Sequence, residues 1–233
     1  MISVIIPAFN EAQSIRDCLI SLINQTLPRE SYEIIVVDGG SEDNTIEIAK
    51  EYADLVFIQE SPKVGGARND GILRAKYEIV ATTDADIVLP PHWLKRIHDI
   101  FVDDPDIVQV YGPVIPKEGG ILNRFYLSLA NNFARIGYYT KIFYFTLGCN
   151  TAFRKDTFIE AGMYHMVDAG DDLEIPRRMI AYGKIKFCEK LKVKFSMRRY
   201  TQFGALQSVY QWMYIVYRGG NSHKYQYAKR KYR

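Results

Sequence analysis

Tyr32-Glu33-Ile34-Ile35-Val36-Val37-Asp38-Gly39-Gly40-Ser41-Glu42-Asp43, continued by a helical pattern over 43–52 and the apolar run Leu55-Val56-Phe57-Ile58, decides the fold. A run of Val and Ile without polar alternation is a strand covered on both faces. Two such runs joined by a single helix make a right-handed crossover between parallel neighbours. Working outward, the same unit recurs: apolar 2–6 before a helix over 11–24, 55–58 before 66–75, and 79–83 before 93–102. The expectation is an α/β fold with a mixed, mainly parallel central sheet flanked by helices.

After an apolar strand at 107–114 the rhythm changes. A long aromatic segment covers 121–145, a short strand 150–154, helices 155–161 and 171–181, and further strands 185–196. This second half builds onto the same sheet. In open α/β sheets the ligand crevice lies at the carboxyl ends of the parallel strands, so the chemistry is expected where the chain leaves them.

Composition narrows the classes. The chain of 233 residues, 48% hydrophobic and 24% charged, supports one substantial core, with no repeat and no low-complexity tract. Cys18, Cys149 and Cys188 are widely spaced without a paired motif, which argues against a disulfide framework or a zinc site. The N-terminus enters a strand without a basic or cleavable leader, so a cytoplasmic setting is expected. Six cations and no acid fall in 218–233, which turns the net charge of +3 into about −3 for residues 1–217. With the basic residues gathered at the end of the chain, a broad nucleic-acid footprint is not indicated.

Three strand exits carry acids: Pro7-Ala8-Phe9-Asn10-Glu11, Asp38-Gly39-Gly40-Ser41 and Asp84-Ala85-Asp86. Carboxylates gathered on one rim repel unless a cation or several donors hold them. Asp84 and Asp86 share a face in an extended segment, and hard oxygens at that spacing suit Mg²⁺ or Mn²⁺ bridging a diphosphate. An isolated Asp-x-Asp more often closes a strand with a solvated turn; its place after a Val/Ile strand favours the metal. Ser41 and Asp43 fit helix capping, whereas Asp38 ends an apolar strand and is read as accepting a hydrogen bond from a nucleobase. The first exit lacks Gly-x-Gly-x-x-Gly and any Gly-rich basic loop, so dinucleotide binding and nucleotidyl transfer lose ground. Gly170-Asp171-Asp172 opens a helix. Acids there commonly serve as caps, but an acid aimed at a metal diphosphate is read as a general base.

With these residues assembled, the chain resembles glycosyltransferase family 2, inverting enzymes of the A-type glycosyltransferase fold. The likeness covers residues 1–200 and rests on Val4-Ile5-Ile6-Pro7-Ala8-Phe9-Asn10-Glu11, Val36-Val37-Asp38-Gly39-Gly40-Ser41-Glu42-Asp43, Gly66-Ala67-Arg68-Asn69 with Gly71, Asp84-Ala85-Asp86, Gly148-Cys149-Asn150-Thr151-Ala152-Phe153-Arg154 and Gly170-Asp171-Asp172-Leu173-Glu174 with Arg178 and Gly183. It implies a Rossmann-like nucleotide-sugar half over 1–115, an acceptor half over 116–200, and a tail over 201–233. It also implies that Pro7, Glu11 and Asp38 line the base and ribose pocket, that Arg68 lies beside the nucleotide, that Asp84 and Asp86 engage ribose, metal and diphosphate, that Asp171 contacts substrate, and that Asp172 is the base. Many relatives carry Glu-Asp where this chain has Asp171-Asp172. Arg198-Arg199 resembles a paired-arginine element near the acceptor side.

The implied reaction passes a sugar from a nucleotide diphosphate, UDP foremost, to a saccharide or lipid-linked hydroxyl. A nucleotide-sugar-binding protein without turnover and a sugar-phosphate nucleotidyltransferase are the rivals. The aromatic stripe Leu122, Phe125, Tyr126, Leu129, Phe133 and Ile136 is expected to be core, with an acceptor platform or membrane-facing surface as the alternative. A second stripe, Leu206 to Tyr217, runs into the basic end and reads as an interfacial helix over 203–233 on the cytoplasmic leaflet. His223 is left outside the site.

Overall fold

The computed structural model describes residues 1–198 together with 207, 210, 213, 214 and 217. Apolar residues on both faces of the first two strands fix the layering. In β1 (Ile2–Ala8) and β2 (Tyr32–Asp38), Val4, Ile6, Ile34 and Val36 point to one side and Ile5, Ile35 and Val37 to the other. The first side is covered by α1 (Ile15–Ile23) through Ile15, Cys18, Leu19 and Leu22, and by α4 (Trp93–Asp103) through Trp93, Leu94 and Ile97. The second is covered by α3 (Lys63–Arg74). Gly71 makes that contact possible, because a Cβ there would stand 2.4 Å from a methyl of Ile5.

With β3 (Leu55–Ile58), β4 (Ile79–Thr82), β5 (Ile107–Tyr111), β7 (Thr151–Arg154) and β8 (Lys184–Phe187), the seven-stranded sheet runs β3-β2-β1-β4-β7-β5-β8. The pairs β3-β2, β2-β1 and β1-β4 are parallel; β7 lies antiparallel to both β4 and β5. Strand order reverses at β1, since α2 (Thr45–Lys50) carries the chain outward to β3 and α3 returns it to β4. The exits of β1 and β4 therefore flank a topological switch point. Antiparallel β7 contributes its entrance to the same edge, with Thr151 opposite Thr82.

Two expectations need correction. The strand expected over 107–114 is divided: β5 ends at Tyr111, and β6 (Val114–Pro116) pairs instead with β9 (Val193–Phe195) in a separate two-stranded sheet. Gly112 and Pro113 cause the break, since Pro113 has no N–H for the ladder and Gly112 lies where a Cβ would meet the Leu191 carbonyl at 2.2 Å. The aromatic stripe is not core. In α5 (Ile121–Thr140), Leu127, Ala134 and Gly137 are the buried residues, while Leu122, Phe125, Leu129, Phe133 and Ile136 are exposed. No helix among the described residues is long and apolar enough to cross a membrane. The interfacial helix and basic tail expected over 203–233, and His223, lie outside the described residues apart from the isolated positions named above.

Candidate functional site

The first two exits are tied together by short polar side chains. Asn10 adopts a left-handed φ of 55°, its N–H donates to Ser41 Oγ at 2.9 Å, and its Oδ1 accepts the Glu42 N–H at 2.9 Å. The Glu11 N–H donates to Thr45 Oγ1 at 2.8 Å. Asp38 is fully buried. Its Oδ2 accepts the N–H groups of Gly40 and Ser41 at 2.8 and 2.7 Å, and its Oδ1 accepts the Ser41 hydroxyl at 2.5 Å. Both oxygens are thus engaged by the loop, which Asp38 braces from within the fold. Pro7, half-buried near the end of β1, adds an apolar flank.

Arg68, on α3, joins the β4 exit to α7 (Asp171–Met179). Its guanidinium donates to Asp84 at 2.8 Å and to Asp171 at 3.2 Å, while lying over the Tyr164 ring. Burial opposes its charge, yet Asp84 and Asp171 together hold it above its ordinary value. Its neighbour Asn69 clamps the loop before α7 through paired hydrogen bonds with the Tyr164 backbone at 2.8 and 3.0 Å. Gly148, at the entrance to β7, touches this guanidinium: a Cβ would stand 2.8 Å from it.

The same Gly148 donates its N–H to Asp172 Oδ2 at 2.9 Å, and the Thr146 hydroxyl donates to the Asp172 carbonyl. Burial raises the Asp172 carboxyl to about 7, assisted by the negative charge of Asp171 and opposed by the Gly148 N–H and Arg68. Asp171 is also raised, by burial first, with Arg68 pulling the other way. A carboxylate poised near neutrality, fixed by one backbone donor, meets the requirement for a general base.

Sequence reasoning named Glu11, Asp84 and Asp86 but not what links them. The Arg198 guanidinium, 187 residues away, donates to both Glu11 oxygens at 2.7 and 2.9 Å and stands 3.9 Å from Asp86. A continuous charged chain results: Asp172, Asp171, Arg68, Asp84, Asp86, Arg198, Glu11. Buried Cys149 registers its closeness, for its thiol is raised by burial and then by Asp84, Asp86 and Asp172. Thr146 and Gly148 were missed as holders of Asp172; the Gly148-Cys149-Asn150 motif was the signal for the second.

Even with Asp171 and Asp172 raised toward their protonated forms, Glu11, Asp84 and Asp86 outnumber the two guanidiniums, so the rim carries the wrong sign for a diphosphate. Asp84 and Asp86 provide hard oxygens suited to Mg²⁺ or Mn²⁺, and no three His, Cys, Asp or Glu among the described residues form a closed cage. Cys18 and Cys149 are buried, and burial raises both thiols.

The family model for Glycosyl transferase family 2 matches residues 3–162, and the chain belongs to that family. A curated relative is Glycosyltransferase AglE of Haloferax volcanii, 42% identical over 101 residues, which is 41% of this chain and 33% of that protein. Among solved structures, S. aureus TarS 1–349 in complex with UDP-GlcNAc is 21% identical with a TM-score of 0.66, covering 84% of this chain and 58% of that one. Mannosyltransferase PcManGT from Pyrobaculum calidifontis, in complex with GDP-Man and Mn²⁺, is 22% identical with a TM-score of 0.68, covering 83% and 56%. These structures share the A-type glycosyltransferase fold. The chain spans a third of the length of that curated relative.

Proposed function

We propose that this chain transfers a sugar, with inversion, from a nucleotide diphosphate to an acceptor hydroxyl. The observation that carries the proposal is the Asp172 carboxyl, raised toward neutrality and fixed by the Gly148 N–H beside an acidic rim. Asp172 accepts the proton of the attacking hydroxyl while the anomeric bond to the diphosphate breaks on the opposite face. Arg68 holds Asp84 and Asp171 in register, and Asp38 sets the loop against which base and ribose lie. Asp84 and Asp86 are the residues that would hold Mg²⁺ or Mn²⁺, whose charge would neutralise the departing diphosphate. Residues 1–115 are assigned to the donor and 116–200 to the acceptor. TarS with UDP-GlcNAc and PcManGT with GDP-Man and Mn²⁺ support donors and metals of these classes. The test is a thermal-shift screen of UDP-, GDP- and dTDP-sugars with and without Mn²⁺, followed by a release assay for the nucleoside diphosphate. No stabilisation by any of them would remove the reading.

Two predictions probe the wall and the base. Asp38→Ala removes three hydrogen bonds from the loop. It should weaken UDP binding roughly ten- to hundredfold, as loss of charge-assisted bonds does. Turnover at saturating donor should be little changed, and calorimetric affinity equal to wild type would contradict the role. Asp171→Asn removes the negative neighbour that raises Asp172. The acidic limb of kcat/KM, expected near pH 7, should then move to lower pH; an unmoved limb would show that Asp171 is not coupled to the base.

A further inference from the structure

The exposed face of α5 has no role in the chemistry above. Its residues Ile121, Leu122, Phe125, Leu129, Phe133, Ile136 and Tyr139 fall within about one third of the helix circumference. They are exposed by between 48% at Leu129 and 85% at Ile121, and Ile142 extends the face at 81%. The helix is anchored by its other side, where Leu127 and Ala134 are buried and the Asn131 side chain exchanges hydrogen bonds with Val114 at 3.0 and 2.8 Å. A ridge this long and apolar, on a helix already fixed to the fold, is larger than scattered surface hydrophobics account for.

Charge selects the occupant. From 119 to 147, which covers α5 and the segment leaving it, the chain has no Asp or Glu and carries Arg124, Arg135 and Lys141. Arg124 and Arg135 lie three turns apart on one flank of the ridge, and Lys141 caps its end in the left-handed conformation at φ 57°. Arg135 is paired to Glu189, so its charge is partly answered from below. Pairing two copies ridge on ridge would bring arginine-bearing flanks together with no carboxylate on either helix to oppose them. An anionic lipid surface meets both demands, apolar depth for the ridge and negative headgroups for its flank.

We infer that α5 is a lipid-docking helix that seats this chain on an anionic membrane surface. The segment leaving α5 reaches Thr146 and Gly148, the two residues that hold Asp172. If the transferase reading above holds, on which this last step alone rests, the acceptor hydroxyl is drawn from a lipid-linked molecule in that surface.

The test is flotation of the full chain with vesicles of equal phosphatidylcholine and phosphatidylglycerol, against pure phosphatidylcholine. Phe125→Ser with Phe133→Ser should weaken partitioning on the order of a hundredfold, about tenfold for each ring withdrawn from the lipid. Both rings are exposed in the fold, and thermal shift with UDP on the same variant reports that the pocket is intact. Neutralising Lys229, Arg230 and Lys231 separates any contribution of the basic end. Partitioning of the double variant equal to wild type would overturn the inference, as would loss confined to the tail variant. So would a self-associating wild type that the double variant renders monomeric without any vesicle binding. UDP binding with no vesicle binding would sink lipid docking and leave the transferase reading standing.

Discussion

Asp172→Asn should keep donor binding and lose transfer by roughly two to four decades, the span general-base removal covers. The variant preserves shape, since an amide oxygen still accepts the Gly148 N–H that the carboxylate accepts at 2.9 Å. It removes only the ability to take a proton. The measurement is single-turnover transfer from a cognate nucleotide sugar, with calorimetry of the nucleotide alongside. Activity close to wild type would eliminate the base; loss of nucleotide affinity as well would mean the substitution had damaged the pocket.

Proton linkage gives an independent check. The folded carboxyl titrates at about 7, above the ordinary unfolded value near 3.9. The folded state therefore holds a proton that the unfolded state releases between these values, and this preference stabilises the fold only at acid pH. Stability from Asp172 is fully present below about pH 4 and lost as pH rises through 7. The asparagine variant carries no charge to bury, so it should melt above wild type at pH 8, and the gap should narrow steadily below pH 7 and close only near pH 4. An equal difference at both pH values would mean that burial does not raise Asp172.

The strands were readable because both of their faces are buried. Val4, Ile5 and Ile6 sit in a core on either side of the sheet, so no alternation was needed to recognise them. Their exits were readable for the same reason, because a run of Val and Ile ends where the chain meets solvent. Arg198 was only partly legible: its motif suggested a place near the acceptor, but a bond to Glu11 across 187 residues has no local signal. Asp38 shows the opposite difficulty. Its position was clear, yet sequence does not say whether a carboxylate at a strand end faces a ligand or its own loop. The periodicity of α5 was likewise correct and its burial wrong, since a stripe at helical spacing marks a face without stating what covers it. Helix boundaries moved for identifiable reasons: α3 starts at Lys63, directly after Pro62, and Glu11 stays outside α1 in the loop that faces Arg198.

On the proposed metal role, chelation should reduce turnover roughly a thousandfold and added Mn²⁺ should restore it, because the rim is acidic where the leaving group departs. Glu11, Asp84 and Asp86 bring more negative charge than Arg68 and Arg198 cancel, and both guanidiniums are already committed. Each added like-charge contact at about 4 Å costs roughly 1 kcal/mol in water and about 4 kcal/mol in a partly buried setting. A diphosphate, which gains charge as the sugar departs, meets several such contacts, and Mg²⁺ or Mn²⁺ held by Asp84 and Asp86 would supply the opposing charge. Asp86→Ala should show the same loss without rescue by Mn²⁺, which ties the requirement to this carboxylate. Arg198 supplies the contrast: it lies 3.9 Å from Asp86, and if its charge alone served the diphosphate, turnover would survive excess chelator unchanged. That result would overturn the metal assignment, while equal Mn²⁺ rescue of wild type and Asp86→Ala would move the cation to other ligands.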